Sequence, residues 1–243
     1  YAILYTMCTH CAHCSTSYTM NLNIILKTAY LSLIVQVITA FVGFYGFSLT
    51  LPSEHYVLKE LLIMETVVQV IELVYYVWLI YNFTSINYDV THTRYFDWIL
   101  STPIMIVSTV LYMKYRNTEE KESLRLFPLV LEFAQPILNI LIFNWSMLIF
   151  GFLGERNLLS RKNAFIGGTL AFIVSFLSIY TNFVGDDFVN KALFWFMFVF
   201  WGLYGVAFCF SYSIKNSMYN ILDMFSKNFY GLFLFNEVRK LAM

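Results

Sequence analysis

The chain has 243 residues, of which 59% are hydrophobic, 20% aromatic and only 12% charged, against about 25% charged residues in an ordinary soluble domain. That balance excludes a water-soluble fold. Fifteen basic residues against fifteen acidic ones, a net charge of zero, exclude the basic footprint of a nucleic-acid binder and an acidic tail, so nucleic acid is not an expected partner.

An α-helix needs about 20 apolar residues to cross a bilayer, and the chain divides into such runs near 23–48, 57–82, 92–114, 126–151, 164–184, 189–211 and 213–237. Neither the short alternating segments of a membrane barrel nor a signal-peptide pattern ahead of the first run is visible. The expectation is an all-α membrane protein: a seven-transmembrane-helix bundle over 23–243 behind an extracellular N-terminal segment, 1–22. That segment packs Cys8, His10, Cys11, His13 and Cys14 closely. Such density can bind zinc, but no second, distant ligand cluster accompanies it. A disulfide or plain disorder fits better, and no metal is assigned.

The first run carries Thr28, Ser32, Gln36 and Thr39 on one helical face, and the second carries Glu65, Gln69, Glu72 and Tyr76 in the same way. Glu60 is a further acid in that second run. Asn82-Phe83-Thr84 is a glycosylation sequon close to a helix end. The third run gives Arg94, Asp97, Ser101 and Ser108, the fourth contributes Glu132, and the last sets Asn216, Asn220, Asp223 and Lys227 on one stripe. Ionisable groups in a span cost about 2.5–3.5 kcal/mol each on insertion scales, so they are kept mainly where they face a pathway or a partner. Serines and threonines serve equally well as interhelical glue. Two glutamates seven residues apart on one face, with no basic neighbour on their own helix, instead imply water, a proton or a passing cation. Lys227 reads either as a structural ion pair with Asp223 or as an amine desolvated for imine formation with an aldehyde.

Loop Lys and Arg favour the cytoplasm. With the N-terminus outside, Lys59, Lys114, Arg116, Lys121, Arg125, Lys191, Arg239 and Lys240 lie inside, against Lys27, Arg156, Arg161, Lys162 and Lys215 outside. The bias supports an extracellular N-terminus.

Three stretches resemble the microbial rhodopsins: Asp223 to Lys227 followed by Gly231, Arg94 through Pro103 around Asp97, and Trp201-Gly202-Leu203-Tyr204. The resemblance covers residues 23–240. It implies all-trans retinal held covalently on Lys227 as a protonated Schiff base, with Asp97 and Asp223 as counterions balanced by Arg94. It also implies Trp98, Thr102, Trp201 and Tyr204 around the polyene, with Phe208 where pumps often carry a second tryptophan. Two departures stand against an outward proton pump: Ser108 replaces the cytoplasmic donor carboxylate, and Lys215 replaces the release glutamate. Leu58-Lys59-Glu60, the segment from Glu65 to Glu72, and Ser226 through Phe233 are similar to viral rhodopsins of giant algal viruses. In their first group, paired glutamates and a helix 1 serine, here Ser32, line a cation path.

The function this implies is a light-gated channel for monovalent cations and protons. Ser32, Glu65, Gln69, Glu72, Arg94, Ser101, Asn216 and Asn220 would line the path, and a Thr102–Glu132 pair would set its kinetics. A light-driven proton pump is the alternative, and a light sensor without transport comes third; no enzyme activity is expected. The protein would sit as a multi-pass chain in the plasma or another host-cell membrane, in contact with lipid and possible copies of itself.

Overall fold

The computed structural model describes residues 12–83, 89–121 and 124–242. Lipid offers no hydrogen-bond partners, so the backbone must satisfy itself within each segment. The apolar runs accordingly form helices: α1 (Ala12–Ser48), α2 (Tyr56–Asn82), α3 (Arg94–Asn117), α4 (Ala134–Glu155), α5 (Arg161–Ile179) and α6 (Phe188–Phe208). α7 is built from Tyr212–Asp223, a π-helical turn Met224–Asn228, and Phe229–Leu241. Among the described residues, six helices are long and apolar enough to cross a membrane. The seventh is divided by its π turn and carries the polar stripe.

α1 begins at Ala12, ahead of the expected 23, so the expected boundary at 22 falls within a helix. Cys8, His10, Cys11 and Thr84 of the sequon lie outside the described residues.

The bundle is polar inside and apolar outside. Ser32, Gln36, Glu65, Glu72, Arg94, Asn216, Asn220 and Asp223 are all fully buried, while Phe41, Val74 and Leu100 face outward. Apolar cores fill the space between the stripes, the largest built from Met105, Ile106, Phe176, Phe194 and Trp201 with their neighbours.

Three interruptions position the site. Pro136 has no N–H and its ring would crowd the carbonyl four residues earlier. The expected single span 126–151 therefore breaks at Phe133 (φ −103°, ψ 18°), leaving a separate short helix, Leu126–Glu132. Glu60 Oε2 accepts from Leu126 N at 2.9 Å and so holds the start of that helix. Inside α3, Pro103 leaves the Ile99 carbonyl without its helical donor, and Trp145 Nε1 of α4 approaches that oxygen at 3.4 Å. The π turn in α7 carries three consecutive buried side chains, Ser226, Lys227 and Asn228.

At the cytoplasmic end, α5 closes through the π-helical Tyr180–Val184 into Gly185 at φ +60°. A Cβ there would press on Asn117, whose Nδ2 donates to the Phe183 carbonyl at 2.9 Å. Asp187 caps α6 through Asn190 N and receives Arg116 Nη2 at 2.8 Å.

Candidate functional site

Lys227 stands at the centre of the bundle. Its Nζ donates to Asp97 Oδ2 of α3 at 2.5 Å, and it lies 3.6 Å from Glu72 Oε1 of α2 and 3.8 Å from Asp223 Oδ1 of its own helix. The amine and the three carboxylates are at most 3% exposed. The sequence assigns Glu72 to an ion path; its geometry also makes it a third acid beside the amine.

On the extracellular side, Arg94 joins the cluster through Asp223 Oδ2 at 3.5 Å. It also donates to Asn216 Oδ1 at 3.1 Å and to Asn220 Oδ1 at 2.5 Å. The two amides reach outward in turn: Asn216 Nδ2 to Thr91 Oγ1, and Asn220 Nδ2 to Thr28 Oγ1, each at 2.8 Å. Tyr76 donates to Asp223 Oδ2 at 2.8 Å and Tyr204 to Asp223 Oδ1 at 2.7 Å. Every side-chain polar atom of Arg94, Asn216, Asn220 and Asp223 has a partner, so this half is a closed network.

The other half is open. Ser32 Oγ, both polar atoms of Gln36, both oxygens of Glu72, Gln69 Oε1 and Glu65 Oε2 are buried without a well-formed hydrogen bond in the protein. Gln69 reaches this position because Gly231 of α7 has no Cβ, which would otherwise collide with its amide. Glu65 Oε1 accepts from Ser108 of α3. Beside it, Tyr230 Oη also makes no well-formed hydrogen bond. Farther toward α1, Thr39 donates to Asn228 Oδ1.

A cavity of about 480 Å³ begins at Lys227 and runs between α3, α4, α5 and α6. Trp98, Thr102, Trp201, Tyr204 and Phe208 all line it, so the expected chromophore residues share one wall system. Trp98 stands edge-on to Tyr204 and Tyr219, with ring centroids 5.3 and 5.0 Å apart.

One assignment changes. Thr102 does not meet Glu132: its Oγ1 accepts from Asn144 Nδ2 at 2.8 Å, while Glu132 is exposed at the end of the short helix. The break at Phe133 separates the two helices, and Asn144 lies twelve residues beyond Glu132, about 18 Å along a continuous helix. Ser101 donates to the Asp97 carbonyl of its own helix at 3.0 Å. Arg94, Asn216 and Asn220 belong to the closed network. Asn144 escaped the sequence analysis, although it is one of two amides, with Asn139, in the otherwise apolar stretch from Ile137 to Phe150. The Lys215–Glu155 pair, 2.5 Å apart and buried, was equally unmarked, because Glu155 closes its helix far from Lys215 in sequence.

Residues 27–241 match the family described as bacteriorhodopsin-like protein. Among solved structures, the viral rhodopsin OLPVRII is 27% identical with a TM-score of 0.79, covering 90% of this chain and 99% of its own. A blue light-absorbing proteorhodopsin from Med12 is 19% identical with a TM-score of 0.70, covering 89% and 96%. A proton-pumping rhodopsin from the marine alga Acetabularia acetabulum is 17% identical, also at 0.70, covering 89% and 95%. No curated protein matches the chain. The family implies a retinal chromophore, and the cavity suits one: it is apolar along its length, walled by aromatic rings, and ends on a single amine. The chain is a multi-pass integral membrane protein and belongs to the bacteriorhodopsin-like family, the microbial rhodopsins, with a viral rhodopsin among its structural neighbours.

Proposed function

We propose that this protein is a light-gated channel for monovalent cations and protons in a host-cell membrane, with retinal bound covalently to Lys227. Bound retinal supplies light absorption and a change of shape on isomerisation. The protein's own groups do the rest. Trp98 and Trp201 confine the polyene, Asp97 and Asp223 hold the positive charge at the Lys227 nitrogen, and Arg94 fixes Asp223 from outside.

The observation that carries the reading is the unsatisfied line Ser32, Gln36, Glu72, Gln69 and Glu65. A buried polar atom without a partner costs about 1–3 kcal/mol, so a run of them is stable only if water or ions complete it. Charge counting points the same way. Lys227 and Arg94 face Glu72, Asp97 and Asp223, two cations against three acids, and an excess negative charge in the membrane interior draws in a proton or a small cation. Hydrated, weakly binding sites in series are what conduction needs.

One observation favours the pump as a second reading. Glu65 bonds Ser108, so a carboxylate from α2 stands where the resemblance expects a donor on α3.

The decisive measurement is light-evoked current against voltage in a clamped cell. Moving one charge across the membrane exchanges about 2.3 kcal/mol per 100 mV, so a passive path must reverse when the voltage opposes the gradient. Reversal that follows the cation gradient is expected. Outward current without reversal, with acidification of the medium, would establish the pump instead.

A further inference from the structure

We propose that Glu237 is where cations from the cytoplasm first bind: a carboxylate pinned by Tyr112 at the mouth of the open line, and filled by Lys240 when no cation is there. The inference rests on the reading that the line conducts. Beyond Lys227, the inward face of α7 continues through Tyr230 and Leu234 to Glu237, in steps of three, four and three residues. On α3, the face that carries Asp97, Ser101 and Ser108 continues to Tyr112. The two faces meet where Tyr112 Oη donates to Glu237 Oε2 at 3.2 Å.

Between this bond and Glu65 the bundle is apolar. Leu58, Leu61, Leu234 and Val238 are at most 1% exposed and belong to one cluster with Tyr112 and Tyr230. Glu237 lies seven residues, about 10 Å, beyond Tyr230, and its side chain is 18% exposed. It stands on the face of the line and still reaches solvent. Among the described residues, the other acids at this end do not combine the two. Asp187 is tied to Arg116, Glu60 holds Leu126 N, and Glu54 stands 3.3 Å from His55 in the loop before α2. Glu119, Glu120, Glu132 and Asp186 are exposed.

Lys240 marks the place of the cation. Its Nζ donates to Glu237 Oε1 at 2.7 Å, and its side chain is 60% exposed. An ion pair so open to solvent is weak, so a cation arriving from solution displaces the ammonium while Tyr112 keeps Oε2 in place. Toward α5 and α6 the same end is closed. There Asn190 Nδ2 donates to the Met113 and Val184 carbonyls at 3.1 and 3.2 Å and to Asn117 Oδ1 at 3.0 Å.

The test reads charge preference at the mouth without relying on transport. Cys8, Cys11, Cys14 and Cys209 are replaced by serine, and Phe233→Cys puts a thiol one turn inward of Glu237, beside Tyr112. Its labelling by cationic and by anionic methanethiosulfonate reagents is timed in the dark. In about 0.01 M salt, where charges act over about 30 Å, Glu237→Gln should lower the cationic-to-anionic rate ratio about fivefold. Glu237→Asp should keep the ratio and Lys240→Gln should raise it. Arg239→Gln makes the same change of charge on an exposed neighbour bonded to Asn236, and should do less. In a clamped cell, Glu237→Gln should also lower outward relative to inward light-evoked current about twofold, at an unchanged reversal potential. The visible band formed with retinal checks the fold of each variant. An unchanged reagent ratio in Glu237→Gln, an equal response to Arg239→Gln and Lys240→Gln, or an equal loss of outward and inward current would each overturn the proposal. The expected reagent ratios without a reversing current in the wild type would leave the cation site standing and remove the channel.

Discussion

The two halves of the polar interior use the same residue types to opposite ends. Around Arg94, the amides of Asn216 and Asn220 and the carboxylate of Asp223 have partners for every side-chain polar atom. Along α1 and α2, Gln36, Gln69, Glu65 and Glu72 leave at least one atom each without a well-formed hydrogen bond, at the same depth of burial. A closed network is rigid, since any shift breaks several bonds at once. An open line is adaptable, because its missing partners are mobile. Under the proposed function the first half is fixed architecture and the second is the transport path.

The largest expected effect lies where the halves meet. Lys227→Ala should abolish the visible band after retinal addition while circular dichroism still reports a folded helical bundle, because no imine forms without the amine. A visible pigment in that variant would detach the chromophore from Lys227.

Asp97→Asn and Asp223→Asn should each shift the colour and lower the pKa of the protonated imine, since each removes a negative charge facing it. Both act on one proton, so their shifts should not add. Spectral titration of the two single variants and the double variant checks this.

The contrast between the halves is sharpest in a matched pair of variants. Asn220→Leu should destabilise the protein by about 1–3 kcal/mol, because it strands the donors of Arg94. Gln36→Leu should be close to neutral in thermal unfolding, since its amide has no well-formed bond to lose, yet it should lower the light-evoked current. Equal destabilisation by the two changes would break the division into closed and open halves. Glu72→Gln and Glu65→Gln should likewise reduce conductance by removing charge from the line.

Smaller still is the Thr102–Asn144 contact. Thr102→Val and Asn144→Leu should couple by about 0.5–3 kcal/mol in a double-mutant cycle, whereas Glu132→Gln should couple to neither.

The smallest effect is at the cytoplasmic surface. The hydrogen bond from Arg116 holds the Asp187 carboxyl below its ordinary range. A carboxyl depressed in the folded state stabilises it fully above the unfolded pKa, near 3.9, and loses that contribution as pH falls through the folded value. The pair is partly exposed, so the contribution is about 0.2–1 kcal/mol. Unfolding followed from pH 6 down to pH 2, about the range in which such carboxyls titrate, should show a shallower acid limb in Arg116→Gln.

The resemblance to the microbial rhodopsins implied Asp97 as a partner of Lys227 and the aromatic residues of the cavity; hydropathy and helical spacing were enough to determine the bundle, the inward polar stripes and Lys227 with Asp223. These are decided within single helices, where 3.6-residue periodicity and the cost of charge in lipid act locally. Tertiary structure decided the rest. Whether Asn220 or Gln36 finds a partner depends on which atoms the neighbouring helix presents, and periodicity carries no such information. Glu72 gained its place beside the amine from the packing of α2 against the widened turn of α7. Thr102 meets Asn144 in place of its expected partner because Asn144 stands at its depth in the bundle, twelve residues and about 18 Å of helix beyond Glu132.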